Sequence, residues 1–151
     1  MAGMIPGAVL FACGLNRVRS PMAAGLMRRL HGGRVFVDSC GLRADADTLA
    51  DPFVLAVMDE AGVDLSGHQP KRFDELIDDS FDVIVSLSPE AHHRAVEFAR
   101  TRAVELEYWP TLDPTLASGS RESVLASYRQ VRDALEARIR MRFPALRTFG
   151  G

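Results

Sequence analysis

The chain has 151 residues, of which 47% are hydrophobic, enough for a single compact domain over residues 1–151 with a full core. The formal net charge is −2, and the basic residues, arginines except for Lys71, are spread along the chain, which argues against a nucleic-acid surface. Two cysteines, Cys13 and Cys40, are too few for a disulfide scaffold, their spacing fits no metal motif, and no stretch is long enough to cross a membrane.

The first element, Ala8 to Ala12, is a short apolar run of the kind expected for a strand covered on both faces. It leads into Cys13-Gly14-Leu15-Asn16-Arg17-Val18-Arg19-Ser20-Pro21. Ser20 reads as a helix N-cap and Pro21 as the first helical residue, where its missing N–H costs nothing. A loop wrapped against a helix N-terminus turns several backbone N–H groups into one concavity and makes an anion site. Gly14, Leu15, Asn16, Arg17 and Val18 form that loop, and Arg19 adds a planar fork that can hold a phosphate-like dianion bidentately. The helix dipole and the guanidinium favour the thiolate form of Cys13. A thiolate under an anion-binding loop is a nucleophile aimed at phosphorus or a similar tetrahedral oxyanion.

The bland alternative makes Cys13 a small buried hydrophobe at a strand end. It leaves the Arg-Ser pair and the Ser-Pro helix start as coincidence. Leu10-Phe11-Ala12-Cys13 loosely resembles a lipoprotein cleavage site. However, Met1 to Ala12 carries no Lys or Arg, and Pro6 and Gly7 interrupt an already short apolar run. A cytoplasmic location, with its reducing conditions, suits a working thiolate.

After Pro21, the residues Met22, Ala23, Leu26, Met27 and Leu30 share one helical face, and Gly32-Gly33 ends the helix. Val35-Phe36-Val37 is a second buried strand ending in Asp38-Ser39-Cys40-Gly41. Asp51-Pro52 opens a helix lined by Val54, Leu55 and Met58 that runs to Gly62, and Phe73 to Ile77 is a short helix. Phe81 to Leu87 is a third strand, Pro89 opens a helix to about Arg100, and Val104 to Tyr108 is a fourth strand. A loop with Leu112-Asp113-Pro114 precedes a last helix from near Ser120, with Val124, Tyr128, Val131, Leu135 and Ile139 inward. This alternation implies a doubly wound parallel sheet with ligands at the carboxyl ends of the strands, where the Cys13 loop and Asp113 both fall. His92 and His93 are adjacent on a helix, make a poor metal pair and read as surface residues.

With these residues in view, the sequence resembles the low-molecular-weight protein tyrosine phosphatases over nearly its whole length. The likeness rests on Cys13 to Pro21, Val37-Asp38-Ser39, Asp64 to His68, the strand Phe81 to Leu87, and Asp113-Pro114 before the last helix. It implies a three-layer α/β fold, with a four-stranded parallel sheet of order 2-1-3-4 flanked by helices. It also implies roles. Cys13 attacks phosphorus to form a phosphocysteine, and Arg19 holds the equatorial oxygens. Ser20 hydrogen-bonds the sulfur, and Asp113 protonates the leaving oxygen and then activates water. Asn16, Ser39 and His68 match a hydrogen-bond network that supports the loop. The implied substrate is a phosphotyrosyl protein or small phosphomonoester, with phosphate or another oxyanion in the site and no cofactor.

The sequence also departs from the family pattern. Leu15 stands where the family usually has glycine, and Gly14 precedes it; either Leu15 crowds the loop mouth or the glycine has shifted by one place. Val18 replaces the cysteine that lets eukaryotic members form a protective vicinal disulfide; Cys40, beside Ser39, reads as a buried structural thiol rather than as a substitute for that cysteine. The aromatics that grip a phosphotyrosyl ring are missing from Arg43–Ala50 and from Pro114–Ser118, which leaves aryl preference open. Two other functions stay in view. Trp109 to Pro114 and Tyr128 to Asp133 resemble the arsenate reductase branch of this fold. In that branch, thioredoxin-coupled members relay oxidation through two cysteines after the third strand, and Asp82 to Glu90 contains none. Only a version using an external low-molecular-weight thiol fits. The remaining alternative is a non-catalytic phosphate-binding module, in which Leu15 disables the loop.

Overall fold

The computed structural model describes residues 5–145. Residues 1–4, the start of the N-terminal run weighed above, and 146–151 lie outside the described residues. Four strands, β1 (Ala8–Cys13), β2 (Phe36–Gly41), β3 (Val83–Ser86) and β4 (Glu105–Tyr108), alternate with α1 (Arg19–His31), α2 (Pro52–Glu60), α3 (Pro89–Ala99) and α4 (Arg121–Arg142). Every pairing is parallel and the order is β2-β1-β3-β4.

The pleat of β1 separates two cores. Val9, Phe11 and Cys13 join residues of α1, α2 and α4, including Met22, Met27, Met58, Leu135 and Ile139. Leu10 and Ala12 join Cys40, Ile84 and the α3 residues Ala91, Ala95 and Phe98. The result is three layers, with β1 covered on both faces as its apolar run requires.

Local chemistry sets the helix starts. Asp51 caps α2 by accepting from the N–H groups of Phe53 and Val54. Ser88 caps α3 and Ser120 caps α4 in the same way. The start of α1 corrects the sequence-based expectation. Val18 holds the cap position with no side-chain cap bond, and the helix begins at Arg19. Ser20 lies inside the first turn because its hydroxyl is engaged by Cys13 and Asn16. Pro21 is the third helical residue, where the N–H would be unpaired in any case.

Three smaller differences follow from the register. β2 runs on through Asp38 to Gly41, because β1 continues to pair with those residues. β3 is shorter than its apolar run, with Phe81, Asp82 and Leu87 outside it. The segment at Phe73 forms one 3₁₀ turn, Phe73–Glu75.

Candidate active site

The loop after β1 is held by its neighbours on both sides. Leu42 and Arg43 donate their N–H groups to the Cys13 and Gly14 carbonyls at 3.1 and 2.8 Å. Asn16 takes a left-handed φ of 55°, which asparagine tolerates better than most residues. Leu15 has no such φ, and its side chain is half exposed at the rim. No glycine is therefore demanded at that position.

Asn16 is fully buried, and its side-chain amide and its carbonyl are all hydrogen-bonded. Its Nδ2 donates to Ser20 Oγ at 2.8 Å and to Ser39 Oγ at 2.9 Å. Its Oδ1 accepts from the Lys71 N–H at 3.0 Å. Its carbonyl accepts from His68 Nε2 at 2.7 Å, so that nitrogen carries the ring proton. Burial holds His68 below the ordinary histidine pKa, against the opposing effect of this bond. The structure therefore brings Asn16, Ser39 and His68 into one network.

That network orients the thiol's partner. Ser20 Oγ lies 2.9 Å from Cys13 Sγ. Because Asn16 donates to Ser20, the hydroxyl proton is left to point at the sulfur; the other acceptor, the Cys40 carbonyl, is at 3.4 Å. The sulfur therefore has a hydrogen-bond donor directed at it.

Arg19 leads off α1 beside the cavity. Its Nη1 donates to the Thr111 carbonyl at 3.1 Å, and its Nη2 lies 3.8 Å from Asp113 Oδ2. Asp113 Oδ1 accepts from the Thr115 N–H at 3.0 Å and its hydroxyl at 2.6 Å, which leaves Oδ2 toward Arg19. Cys13, Leu15, Arg17, Val18, Arg19, Asp113 and Thr115 line a cavity of about 100 Å³, and no aromatic ring is among them. Cys13 is only 2% exposed, so it forms a floor.

Several contributors lay outside the sequence reading. Gly41 backs directly onto the loop, since a Cβ there would fall 2.7 Å from the Asn16 nitrogen. Lys71 pairs with Asp38 at 2.6 Å and donates its N–H to Asn16. Thr111 and Thr115 position Arg19 and Asp113. Gly41, Lys71 and Thr111 act across long chain separations, whereas Thr115 acts two residues from Asp113. His92 is a correction: it is half-buried and stacks on Tyr108 at 5.0 Å, because the end of β4 reaches the α3 face. Cys40 sits in the core on the α3 side, away from the cluster that holds Cys13, and burial pushes its thiol pKa well up. No helix among the described residues is long and apolar enough to cross a membrane.

A strand–loop–helix anion cradle with a buried thiol beneath it and a carboxylate at its rim defines a class of cysteine-based oxyanion enzymes. The low molecular weight phosphotyrosine protein phosphatase model matches residues 8–148, and the chain belongs to that family. Curated relatives carry another activity in their names. The glutaredoxin arsenate reductase of Synechocystis sp. is 37% identical over 52% of this chain and 58% of its own length. The arsenate reductase of Bacillus subtilis is 29% identical over 87% of this chain and 91% of its own. Among solved structures, a low molecular weight protein tyrosine phosphatase from Bacillus subtilis superposes with a TM-score of 0.70. It is 25% identical and covers 89% of this chain and 93% of its own.

Proposed function

We propose that the protein is a cysteine-dependent phosphomonoesterase, of the protein-tyrosine-phosphatase type. In the first step Cys13 Sγ forms a bond to phosphorus as the ester P–O bond breaks. Asp113 supplies the proton that the leaving oxygen takes. In the second step water attacks the phosphocysteine, Asp113 takes its proton, and the thiolate leaves with Ser20 donating to it. One carboxylate serves both steps because they are near mirror images. Arg19 and the loop N–H groups hold the equatorial oxygens, where charge gathers in a loose transition state. The observation that carries this reading is the 2.9 Å contact of Ser20 with Cys13 beneath a cavity that Arg19 and Asp113 also line.

A second reading, arsenate reduction, is favoured by the names of the curated relatives. There Cys13 forms a bond to arsenic(V) as an As–O bond breaks and the oxygen leaves as water. A second thiol then attacks the Cys13 sulfur; the S–As bond breaks with its electron pair going to arsenic, so the two thiols are oxidised to a disulfide and arsenic(V) is reduced and released as arsenite. Cys40 is the only other cysteine of the chain and is buried in the opposite core, so that thiol comes from outside, as a small thiol or a glutaredoxin-type donor. The test is p-nitrophenyl phosphate hydrolysis by wild type and Cys13→Ser, with arsenate and thiol donors in parallel. Turnover that is lost in Cys13→Ser supports the esterase. Thiol-dependent arsenite formation without ester hydrolysis overturns it in favour of the reductase.

A further inference from the structure

The cavity wall includes a guanidinium that the chemistry above does not employ. Arg17 Nε donates to the Leu49 carbonyl at 3.0 Å, which fixes the fork in place. The side chain lines the same cavity as Cys13 and Arg19. Arg19 has Asp113 at 3.8 Å, and Arg43, near Gly14, is paired with Glu90 at 2.9 Å. Arg17 has no carboxylate at ion-pair distance among the described residues, and its two terminal nitrogens have no acceptor there. A held, uncompensated cation at a substrate opening is an anion anchor.

A cavity of about 100 Å³ suits the tetrahedral group and little more, so the rest of a substrate emerges at the rim, where Leu15 and Arg17 are among the lining residues. No aromatic ring there can stack an aryl group. Leu15, 50% exposed, offers only aliphatic contact. On the loop side of the opening, Arg17 is therefore the group that can add charge to binding, while an apolar cavity with Leu112 and Leu116 lies on the Asp113 side. We propose that Arg17 binds a second anionic group on the substrate. The preferred substrate is then a phosphomonoester that also carries a carboxylate or a second phosphate close to the ester. This rests on the phosphomonoesterase reading.

The test measures binding, so it does not depend on turnover. Inorganic phosphate, pyrophosphate and phosphonoacetate are titrated by calorimetry into wild type, Arg17→Gln and Arg17→Lys. Wild type should bind at least one of the two double anions about five- to tenfold more tightly than phosphate, as expected for a partly screened, bidentate pair. The arm that shows the preference, pyrophosphate or phosphonoacetate, identifies the second anion. That ratio should fall toward one in Arg17→Gln and recover in part in Arg17→Lys, which keeps the charge without the fork. A flat ratio in wild type, or one that survives in Arg17→Gln, overturns the proposal. Ester turnover by the same wild-type preparation is measured alongside. Its absence would remove the esterase reading, while the ratio still reports on Arg17.

Discussion

Gly41 ends β2 directly behind the phosphate loop, and Gly41→Ala tests how tightly the two are joined. The added Cβ would lie 2.7 Å from the Asn16 nitrogen, and 2.9 Å from both the Gly14 oxygen and the Leu15 carbonyl carbon. Ordinary contact begins at 3.4 Å, so relief needs a shift of 0.7 Å at the first atom (3.4 − 2.7) and 0.5 Å at the others (3.4 − 2.9). All three are backbone atoms, so no rotamer change helps. Strand and loop must part, against the bonds from Leu42 and Arg43 to the Cys13 and Gly14 carbonyls. Overpacking of this kind costs about 1–3 kcal/mol. For a domain of this size that lowers Tm by about 2–12 °C. A shift approaching 1 Å in a positioned site costs up to about a hundredfold in rate, so a loss of about tenfold or more in kcat/KM is expected. Thermal melting, phosphate titration and p-nitrophenyl phosphate kinetics are run on one preparation. Phosphate affinity and kcat/KM both unchanged would refute the close approach as a constraint on the site.

Other predictions concern the acid, the network and pH. Asp113→Asn should lower kcat by about a hundredfold or more with a poor leaving group such as phenyl phosphate, and less with p-nitrophenyl phosphate; equal losses would remove Asp113 from the acid role. Asn16→Ala should cost about 2–4 kcal/mol in chemical denaturation, because Ser39 and the Lys71 N–H lose their partner and alanine tolerates φ 55° poorly. Asn16→Gly should recover only the backbone part, and full recovery would show that the side-chain bonds contribute nothing. His68 is held below the ordinary value of 6.5, chiefly by burial. The unfolded chain therefore takes up this proton first as pH falls. The contribution of His68 to stability is complete above 6.5 and declines through that value toward the lower folded pKa. Urea titrations from pH 7.5 to 5 should show a shallower slope in His68→Gln, and an unchanged slope would refute the assignment.

What could be read in advance follows from chain distance. The cradle lies in one contiguous run, Cys13 to Ser20, so its composition alone announces an anion site. Strands β1 and β3 were legible as short apolar runs and β2 through its apolar start at Val35–Val37, while the alternating Glu-Leu-Glu-Tyr of β4 took its place from the chain order; the parallel order followed from the alternation and the resemblance. Ser20 was misread as a cap because sequence shows a hydroxyl before a proline but not the sulfur it faces. Gly41, Lys71, Thr111 and Thr115 escaped notice for a similar reason. Gly41, Lys71 and Thr111 act on residues brought near only by folding, and Thr115, two residues from Asp113, belongs to no spacing that signals its task. The burial of His92 depends on β4 ending beside α3, which no local pattern encodes.

The central claim is that the Cys13 sulfur carries the phosphoryl group between two half-reactions. Acid quench of the enzyme during steady turnover of p-nitrophenyl phosphate, followed by peptide mass spectrometry, tests it directly. A phosphoryl group on Cys13 that appears within the first turnover and decays once substrate is spent is the predicted result. Steady hydrolysis with Cys13 unmodified, or hydrolysis that persists in Cys13→Ser, would contradict the account.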